Sequence, residues 1–515
     1  MNIVLIRPPK LMIRGTLTMK PVAPLGLAYI AAAAESAGHN VRVIDAIANN
    51  ICEFHPTELG NDIIIQGMRP EVVAELVPCG SKVIGLSCMF SNNWLLDRRL
   101  IKVLRSRFPE AVLIAGGESI SGMPEYALKD SELDICVVGE GEETFKEVLS
   151  AIENQIPLVT VKGIVFKKDG KIVLNPRRER IRQLNDIPYP AWHFFPVNAY
   201  FDNQITLTPT ERKSLPTLAT RGCPYTCTFC SSPNMWTTKY SLRSPDNILQ
   251  EMIYMYEKYG VTNFELFDLT AIINRQWILE FCRLLQNYPV HFTWQMPAGT
   301  RSEALSEEVI REMAKAGCTN ITFAPESGSK KVLQLIQKKA DPDKMLPAMK
   351  LASQLGMYVY VNSIIGLPGE THRDIWKSML YLAKTAFAGA QDTGMAVFMP
   401  YPGSELFKQF EQYGQLSLSD SFFYDILYTD SITKSQFYNN NIPSFIYRIY
   451  NILLLTVFYI VSYSSHPSRI YKSLRNVIKR RYVTRGERAI GYLMEQYFSL
   501  KKSPVHSLHQ PVSHV

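Results

Sequence analysis

The sequence predicts an α/β protein made of two successive sets of parallel strands, followed by a helical region. Three observations carry this prediction. Short β-branched runs alternate with helical periodicity over residues 1–150, the same alternation returns after residue 200, and residues 421–515 contain long helical stretches. A chain of 515 residues is also too long for one ordinary core.

Residues 1–150 are predicted to form a doubly wound, Rossmann-like parallel sheet. The helices are read from "LGLAYIAAAAESAG" and "WLLDRRLIKVLRSRF". The strands are read from six apolar runs: "NIVLI", "NVRVIDA", "DIIIQ", "KVIGLSCM", "AVLIAGG" and "DICVVGEGE". Ser87, Gly116 and Gly117 end two of these strands, where ligands of open sheets bind. No GxGxxG follows the first strand, so a dinucleotide is not favoured. The alternative is that these glycines only end strands.

Residues 151–200 are predicted to be a linker. A hairpin is expected around Asp169 and Gly170, followed by a Pro- and aromatic-rich segment without regular structure. Residues 201–420 then give six more strands, which predict a partial (β/α)6 barrel of the TIM type with its reactive groups at the carboxyl ends of the strands. The six strands are "SLPTLAT", "NFELFD", "HFTWQM", "NITFAPE", "YVYVNSIIG" and "GMAVFMP".

Composition limits the class of protein and of partner. Hydrophobic residues at 46% and charged residues at 20% describe a packed globular chain. The formal charge of +8 is too small an excess to predict a nucleic-acid partner. The N-terminus lacks the pattern of a signal peptide, so a cytoplasmic protein with reduced thiols is expected. Six of the nine cysteines are expected to be buried apolar side chains: Cys52, Cys79, Cys88, Cys136, Cys282 and Cys318.

The other three cysteines are clustered in "RGCPYTCTFCSS". Cys223, Cys227 and Cys230 follow the first predicted barrel strand. Thiolates suit iron–sulfur clusters and zinc, and a 4Fe-4S cubane needs one ligand for each iron. Three cysteines leave one iron open, whereas structural zinc normally takes four ligands and the nearest other candidate, His193, is far upstream. The trio therefore favours a 4Fe-4S cluster over zinc.

The spacing CxxxCxxC, with Phe229 just before the last cysteine, resembles the radical S-adenosylmethionine (SAM) superfamily. The resemblance implies that the open iron binds SAM and that reductive cleavage gives a 5′-deoxyadenosyl radical. It also implies that Glu326 and Ser327 of "PESGS" and Gly366 of "IIGLPGET" contact SAM. "FMPYPGSELF" resembles the last barrel strand and its loop.

The N-terminal half resembles the cobalamin-binding domain of many radical SAM enzymes, in particular the anaerobic porphyrin-ester cyclase and hopanoid methylase type. The resemblance implies that Ser87, Gly116 and Gly117 line the cobalamin site. The chain departs from the family pattern in three places. Asp45 is followed by "AIANN" instead of DxHxxG, which predicts cobalt without a protein imidazole. Glu118 and Ser119 stand where many relatives have Pro and His, and Asp268, the expected cofactor contact, lacks a second aspartate beside it.

Residues 449–467 are uncharged and nearly long enough to span a bilayer. Three interpretations stay open for this stretch: a helix packed on the barrel, an interfacial helix with a basic flank, and a transmembrane span. Peripheral membrane contact at the inner face of the membrane is thus one expectation for residues 421–515. A hydrophobic, lipid-like or tetrapyrrole small-molecule substrate is another.

The resemblance implies methylation of an unactivated carbon of a hydrophobic or natural-product substrate, with SAM, a 4Fe-4S cluster and cobalamin as cofactors. An external electron donor such as flavodoxin or ferredoxin would serve the cluster. One alternative is a radical ring-forming or oxidative cyclase without net methyl transfer, and a remoter one is a cobalamin sensor without turnover. The sequence singles out no catalytic side chain beyond the cofactor ligands.

Overall fold

The computed structural model describes residues 1–14, 21–208, 210–270, 273–300, 305–431 and 434–502. Inside helices and strands, the side chains of residues 300, 430, 492 and 495–502 are outside the description. The parts of the predicted barrel and C-terminal region at 209, 271–272, 301–304, 432–433 and 503–515 therefore lie outside the described residues.

The first α/β unit is a doubly wound sheet, as predicted. Its elements are β1 (Asn2–Arg7), β2 (Lys10–Ile13), α1 (Leu25–Ser36), β3 (Asn40–Asp45), β4 (Phe54–Pro56), β5 (Ile63–Gln66), α2 (Pro70–Leu76), β6 (Val83–Ser87), α3 (Trp94–Arg107), β7 (Val112–Gly116), α4 (Glu118–Gly122), α5 (Pro124–Asp130), β8 (Ile135–Val137), α6 (Glu142–Glu153), β9 (Ile164–Lys168) and β10 (Lys171–Leu174). The strand order is β10-β9-β8-β7-β6-β1-β3. Helices α1 and α6 belong to one apolar core and α3 to another, so both faces of the sheet are covered.

One predicted strand lies elsewhere. We expected "DIIIQ" in the parallel sheet, but β5 pairs antiparallel with β2 and with β4 in a separate three-stranded sheet. The expectation was wrong because a short apolar run signals a buried strand without identifying its partner.

The predicted hairpin forms, and it extends the first sheet. Asp169 and Gly170 have φ values of 51° and 74°, the left-handed pair required by a two-residue hairpin turn. β9 also pairs antiparallel with β8, so the hairpin is the antiparallel edge of the parallel sheet. The sheet therefore continues into the segment predicted as linker. The rest of that segment was expected to lack regular structure, but a helix, Val197–Asp202, begins inside it, and Trp192 and Tyr200 are buried. Prolines and aromatic residues next to one another do not exclude a short helix that is stabilised by burial.

The second α/β unit is an open barrel of six strands. Its elements are α7 (Val197–Asp202), β11 (Ser214–Thr217), β12 (Thr220–Arg221), α8 (Ser232–Trp236), β13 (Ser241–Leu242), α9 (Pro245–Tyr259), β14 (Asn263–Leu266), α10 (Arg275–Asn287), β15 (Thr293–Thr300), α11 (Glu307–Lys315), β16 (Cys318–Glu326), α12 (Lys330–Leu335), α13 (Pro342–Gln354), β17 (Tyr358–Ile365), α14 (His372–Phe387), β18 (Asp392–Val397) and α15 (Glu405–Gln412). The order β11-β14-β15-β16-β17-β18 is sequential and every neighbouring pair is parallel. The predicted partial (β/α)6 barrel is confirmed.

Apolar and polar side chains alternate along β14 and along residues 293–296 of β15 and 320–323 of β16. Phe264, Trp294 and Phe323 belong to the apolar core formed with the surrounding helices. Because successive side chains of a strand point to opposite faces, the residues between them face the barrel interior. That interior set includes Glu265, Gln295 and Thr322, all of which are buried and polar. The barrel therefore has a polar inner surface inside an apolar shell.

The C-terminal region is helical and consists of α16 (Asp420–Leu427), α17 (Ser444–Ser465), α18 (Ser468–Ile478) and α19 (Arg485–Lys502). α17 is the one described helix that is long and apolar enough to cross a membrane, with 28% of its most apolar window buried. It packs along α14, because His372 Nδ1 lies 2.8 Å from the Tyr450 hydroxyl and Phe458 is fully buried. The barrel-packed interpretation of this helix is confirmed.

The cysteines outside the trio divide into two groups. Cys88, Cys136, Cys282 and Cys318 are buried, as expected. The expectation was wrong for Cys52 and Cys79, which are exposed. Both follow the end of a short helix, where the chain returns to the surface.

Candidate active site

The three clustered cysteines lie on one loop that leaves the first barrel strand. Cys223, Cys227 and Cys230 occupy the loop between β12 and α8, and each is partly exposed. The Cys230 N–H donates to the Cys227 carbonyl at 3.1 Å. Thr228 ties the loop to the barrel, since its N–H donates to the Ile336 carbonyl and its carbonyl accepts from the Leu406 N–H. Backbone hydrogen bonds therefore hold the three thiols at the carboxyl edge of the barrel.

The donor set fits an iron–sulfur cluster. Within the described residues, no three His, Cys, Asp or Glu side chains are close enough to hold a single metal ion. A cubane does not need such closeness, because each thiolate binds a different iron. Burial raises the pKa of the Cys230 thiol, and ligation by iron would favour its thiolate form.

Asp268 holds the start of the cysteine loop. Its carboxylate accepts from the N–H groups of Ala219, at 3.2 Å, and of Thr220. The side chain is almost fully buried, and burial raises its pKa to about 6. The contact with a cofactor predicted for Asp268 stays a prediction, because the described contacts are with the backbone.

Glu326 and Ser327 end β16. Glu326 has a φ of 64°, an uncommon and strained conformation for a residue other than glycine, of the kind that concentrates at functional sites. Its carboxylate accepts from Lys338 Nζ at 2.8 Å. Ser327 Oγ lies 3.1 Å from the hydroxyl of Ser378 on α14 and also accepts from the Ser329 N–H. The SAM contacts of both residues stay predictions.

The turn after β17 contains Gly366 and Glu370. Gly366 has a φ of 85°, and its N–H donates to Glu370 Oε2 at 2.7 Å. Burial raises the pKa of Glu370 to about 8, and its Oε1 has no hydrogen-bond partner among the described residues. An amide from the C-terminal region braces this turn, because Asn439 Nδ2 donates to the carbonyls of Leu367, at 2.5 Å, and Glu370, at 3.1 Å. A ligand that approaches Gly366 therefore meets a turn fixed from both sides.

The carboxyl edge of the first sheet is built mainly from backbone. Ser87 and Gly116 are paired neighbours at the ends of β6 and β7. Gly117 has a φ of 119°, and a Cβ there would lie 2.5 Å from the Cys88 carbonyl oxygen. A Cβ on Gly116 would meet only ordinary contact with Val137, so that glycine is not required by the protein's own packing.

Two large apolar side chains are exposed beside these glycines. Met89 and Phe90 follow β6 and are 45% and 68% exposed. An edge with a backbone cradle and exposed apolar side chains fits a flat corrin ring. Asp45, at the end of β3, is occupied elsewhere: its carboxylate accepts from the Ile47 and Ala48 N–H groups at 3.1 Å. It therefore closes the turn that follows β3.

The two carboxyl edges contact each other directly. Helix α4, which follows the Gly116–Gly117 pair, packs on α8, which follows the cysteine loop. The hydroxyl of Ser231, next to Cys230, donates to Glu118 Oε1 at 2.7 Å. A Cβ on Gly122 would lie 2.5 Å from the Pro402 carbonyl oxygen. The structure therefore brings the predicted cobalamin edge and the predicted cluster loop together, and Glu118 is the residue that joins them.

A buried ion-pair network sits behind this contact. Arg221, two residues before Cys223, pairs with Glu140 at 3.1 Å and with Glu142 at 2.5 Å. Arg180 from the linker pairs with Glu140 at 2.6 Å, and the Arg221 guanidinium lies over the Trp236 ring. Burial alone would raise the pKa of Glu142, but the Arg221 charge outweighs it and the pKa is lowered.

We did not predict this network. Its members were visible in the sequence as the acidic part of "VGEGEE" and the Arg of "RGC". The signal that could have found them is the opposite charge of these two short segments, since Glu140 and Glu142 are acidic and Arg221 lies next to the cysteine trio.

Family models match both halves of this site. The model described as Radical SAM superfamily matches residues 217–382, and the model described as B12 binding domain matches residues 19–149. The chain is a radical SAM protein with a B12-binding domain. The predicted resemblance is confirmed. The radical SAM match implies SAM and a 4Fe-4S cluster, and the B12 match implies cobalamin.

Named relatives include a methyltransferase and a cyclase. The chain is 29% identical over 431 residues to a cytidylyl-2-hydroxyethylphosphonate methyltransferase from Streptomyces wedmorensis, covering 78% of this chain and 80% of that protein. It is 25% identical over 393 residues to an anaerobic magnesium-protoporphyrin IX monomethyl ester cyclase from Rubrivivax gelatinosus, covering 75% and 66%.

Solved structures share the fold. The radical SAM methyltransferase TsrM from Kitasatospora setae, with cobalamin and a [4Fe-4S] cluster bound, aligns with a TM-score of 0.63 at 16% identity. That alignment covers 81% of this chain and 76% of TsrM. The arrangement of a B12-binding domain before a radical SAM domain is common to both chains.

Proposed function

We propose that this radical SAM enzyme is a cobalamin-dependent methyltransferase that methylates an unactivated carbon of a small natural-product substrate. When bound, SAM with the cluster would supply a 5′-deoxyadenosyl radical, and methylcobalamin would supply the methyl group. In this proposal Cys223, Cys227 and Cys230 hold the cluster, and Ser87, Gly116 and Gly117 line the cobalamin site.

The observation that carries the proposal is the contact of Glu118 with Ser231. Two reactive groups that must act on one substrate need to face the same space, since proximity supplies a large part of a rate enhancement. The 2.7 Å hydrogen bond joins the residue after Gly117 to the residue after Cys230. The Arg221 network behind it resists separation of the two edges. A junction at this place would hold the two predicted cofactor sites close to one substrate.

The polar barrel interior bears on the substrate class. Gln295 Oε1 is buried without a hydrogen-bond partner among the described residues, and burial raises the pKa of Glu265 to about 7. Buried polar groups of this kind favour a ligand that makes hydrogen bonds. The relative that methylates a cytidylylated phosphonate is a precedent for a polar substrate. Within the predicted natural-product class, we therefore favour a substrate with polar groups over a purely lipid-like one.

The cluster also needs an electron. We propose an external one-electron donor such as flavodoxin or ferredoxin, and the partial exposure of all three cysteines supports access from outside. An oxygen-sensitive cluster and nine thiols fit the reducing conditions of the cytoplasm.

A radical ring-forming cyclase without net methyl transfer is the second candidate. The observation that favours it is the 25% identity with the magnesium-protoporphyrin IX monomethyl ester cyclase. The two candidates share the cofactors and differ in the fate of the methyl group of SAM.

Methyl-deuterated SAM separates the two. The reconstituted enzyme would be incubated anaerobically with a reductant and either cytidylyl-2-hydroxyethylphosphonate or magnesium-protoporphyrin IX monomethyl ester, the compounds named by the two relatives. Methyl transfer predicts a product that carries the deuterated methyl group, with S-adenosylhomocysteine and 5′-deoxyadenosine formed alongside it without that group. A new product without the deuterated methyl group, formed with 5′-deoxyadenosine but without S-adenosylhomocysteine, would overturn methylation and support the cyclase.

The control is the Cys223/Cys227/Cys230→Ala variant, which should give none of these products. Cys282→Ala is the matched control, because that thiol is buried on α10 away from the loop. It should retain the reaction.

A further inference from the structure

Helices α17 and α18 expose an apolar surface that we call the C-terminal surface. On α17, Tyr447, Leu454 and Phe458 are buried against the barrel. The opposite side carries Phe445, Ile449, Ile452 and Ile460, which are 49–60% exposed. Isolated exposed apolar residues are common, but a stripe along a 22-residue helix is not.

The position of α17 on the barrel is fixed. The Tyr459 hydroxyl donates to the buried carboxylate of Asp392 at 2.6 Å and accepts from the Gly486 N–H at 2.8 Å. A helix that packs along α14 and is held by buried polar contacts to the barrel would have to break them to enter a bilayer. The structure therefore favours the barrel-packed position over a span, with the outer side of α17 available to a partner.

Helix α18 continues this surface and separates apolar from basic residues. Each of its residues, all of them described, is at least partly exposed. Ile470, Tyr471, Leu474 and Ile478 lie within one 100° arc of the helix, at about 100° per residue. Lys472, Arg475 and Lys479 occupy the neighbouring arc and are exposed. This is the pattern of a helix that lies in a membrane interface.

The charge along this segment is mainly positive, although Glu487 accepts from Ser473 and Asn476 of α18 and Glu211 pairs with Arg481. Residues 431–486 contain nine Lys and Arg and no Asp or Glu. Some are used internally: Lys434 pairs with Asp62, and Arg469 donates to the carbonyls of Gly389 and Ala390. Lys472, Arg475, Lys479 and Arg480 are exposed and form no ion pair within the described residues. Three of these cations, Lys472, Arg475 and Lys479, therefore lie beside the apolar arc of α18, and Arg480 follows the end of the helix.

The exposed apolar and basic residues together limit which partner could bind the C-terminal surface. In a symmetric dimer the same patch meets itself, so the cations of both copies would enter one interface to which residues 431–486 contribute no carboxylate. A zwitterionic membrane would satisfy the apolar stripe but not the charges. An anionic lipid surface satisfies both, because basic residues near it each contribute about 1 kcal/mol. We propose that the C-terminal surface binds the face of an anionic lipid membrane, with α18 at the level of the headgroups.

Vesicle flotation with the full-length holoenzyme tests this proposal. The probes are vesicles of phosphatidylcholine alone and of phosphatidylcholine with phosphatidylglycerol. We expect binding that rises with the anionic lipid and falls as salt is raised, since surface charges are screened over about 8 Å at 0.15 M. Equal binding to both vesicles without salt dependence would overturn the proposal, as would the absence of binding to anionic vesicles.

Two sets of variants locate the site. Neutralising Lys472, Arg475, Lys479 and Arg480 with Gln should weaken partitioning at least about tenfold. The matched control neutralises Lys102, Lys129, Lys168 and Lys171, which are exposed on the first α/β unit. Equal losses in the two sets would mean that net charge alone drives binding and would overturn the assignment.

Leu474→Ser with Ile478→Ser tests the apolar part. We expect weaker binding to anionic vesicles, with unchanged iron content as evidence of folding. A concentration-dependent dimer of the wild-type chain that these substitutions dissociate would instead assign the surface to a second copy. The assay does not depend on turnover, so its outcome is separate from that of the methyl-transfer experiment.

Discussion

At the carboxyl edge of the first sheet, the residues at the junction contribute mostly backbone, whereas at the edge of the barrel they contribute side chains. Gly116 and Gly117 end β7 without a Cβ, and at Gly117 the protein has no room for one. The barrel edge carries three thiols, the Glu326 carboxylate and the Glu370 carboxyl. In the proposed function, a large, flat ligand would be held by shape on the first side, and a reactive, charged one by specific atoms on the other.

The two sheets also differ in the polarity of the side chains that they bury. Strand β1 is buried on both sides by apolar residues such as Val4 and Leu5, as expected for a parallel sheet covered by helices. The barrel strands instead turn polar side chains inward. The first sheet is thus a scaffold with its chemistry at one edge, while the barrel has polar groups both at its edge and inside.

Removal of the three thiols should have the largest effect. Cys223/Cys227/Cys230→Ala should lose about four irons per chain, because a cubane cannot be held without its thiolate ligands. Iron analysis and the visible absorption of the reconstituted protein measure the loss. Cys282→Ala should keep its iron. Iron retained in the triple variant at the level of the control would refute the assignment.

Arg221→Ala tests the junction between the two edges. The substitution leaves Glu140 and Glu142 buried with fewer partners, which typically costs about 3–5 kcal/mol of stability. The urea midpoint measures this cost. Arg275→Ala, which removes an exposed pair with Glu308, should cost at most about 1 kcal/mol. Equal shifts in the two variants would contradict a structural role for the network.

Glu265→Gln tests the polar barrel interior through pH. Burial raises the pKa of Glu265 from 4.5 to about 7, so the folded protein binds this proton more tightly than the unfolded chain. The stabilisation is complete below pH 4.5 and is lost as the pH rises through 7. The variant should therefore lose less stability between pH 5 and pH 8, by up to about 3 kcal/mol.

Unfolding measured at several pH values gives the change of stability with pH. Glu257→Gln, exposed on α9, should keep the wild-type dependence. A wild-type slope in Glu265→Gln would show that the carboxyl is not buried as described.

Gly117→Ala tests the backbone edge. Both its φ of 119° and the close Cys88 carbonyl oppose a side chain, so we expect a loss of about 1–3 kcal/mol and weaker cobalamin binding. Gly80→Ala is the matched control, since it has a φ of 80° with nothing within 4 Å and isolates the cost of φ. Cobalamin titration measures the binding, and thermal unfolding measures the loss of stability. If Gly80→Ala weakened cobalamin binding as much, the close approach at Gly117 would not matter.

Local signals were enough for much of the fold. The six barrel strands were each predicted, because each is a short run with β-branched or aromatic residues, and helices of clear periodicity separate several of them. The hairpin was predicted because Asp169 and Gly170 favour the left-handed conformation that the turn needs. β5 was misplaced because its apolar run is compatible with either sheet.

The predicted cofactor ligands could be identified from the sequence, whereas the contacts of the residues that support them could not. The cysteine trio lies within eight positions, so its spacing alone identifies the ligand set. Asp268 was expected at a cofactor, yet its carboxylate accepts from the Ala219 and Thr220 backbone. The nearby sequence gives no sign of that acceptor role, because the donors are about fifty positions away.

The sequence by itself determined where the six barrel strands lie in the chain, the two family domains and the three clustered thiols, since each depends on residues close together in the chain. Only the tertiary structure decided that Glu118 meets Ser231, that Arg221 pairs with Glu140 and Glu142, and that Asn439 braces the turn after β17. These partners are between about 70 and 115 residues apart. Their contacts exist because each α/β unit buries its own apolar faces and then packs against the other unit. No local pattern encodes that docking.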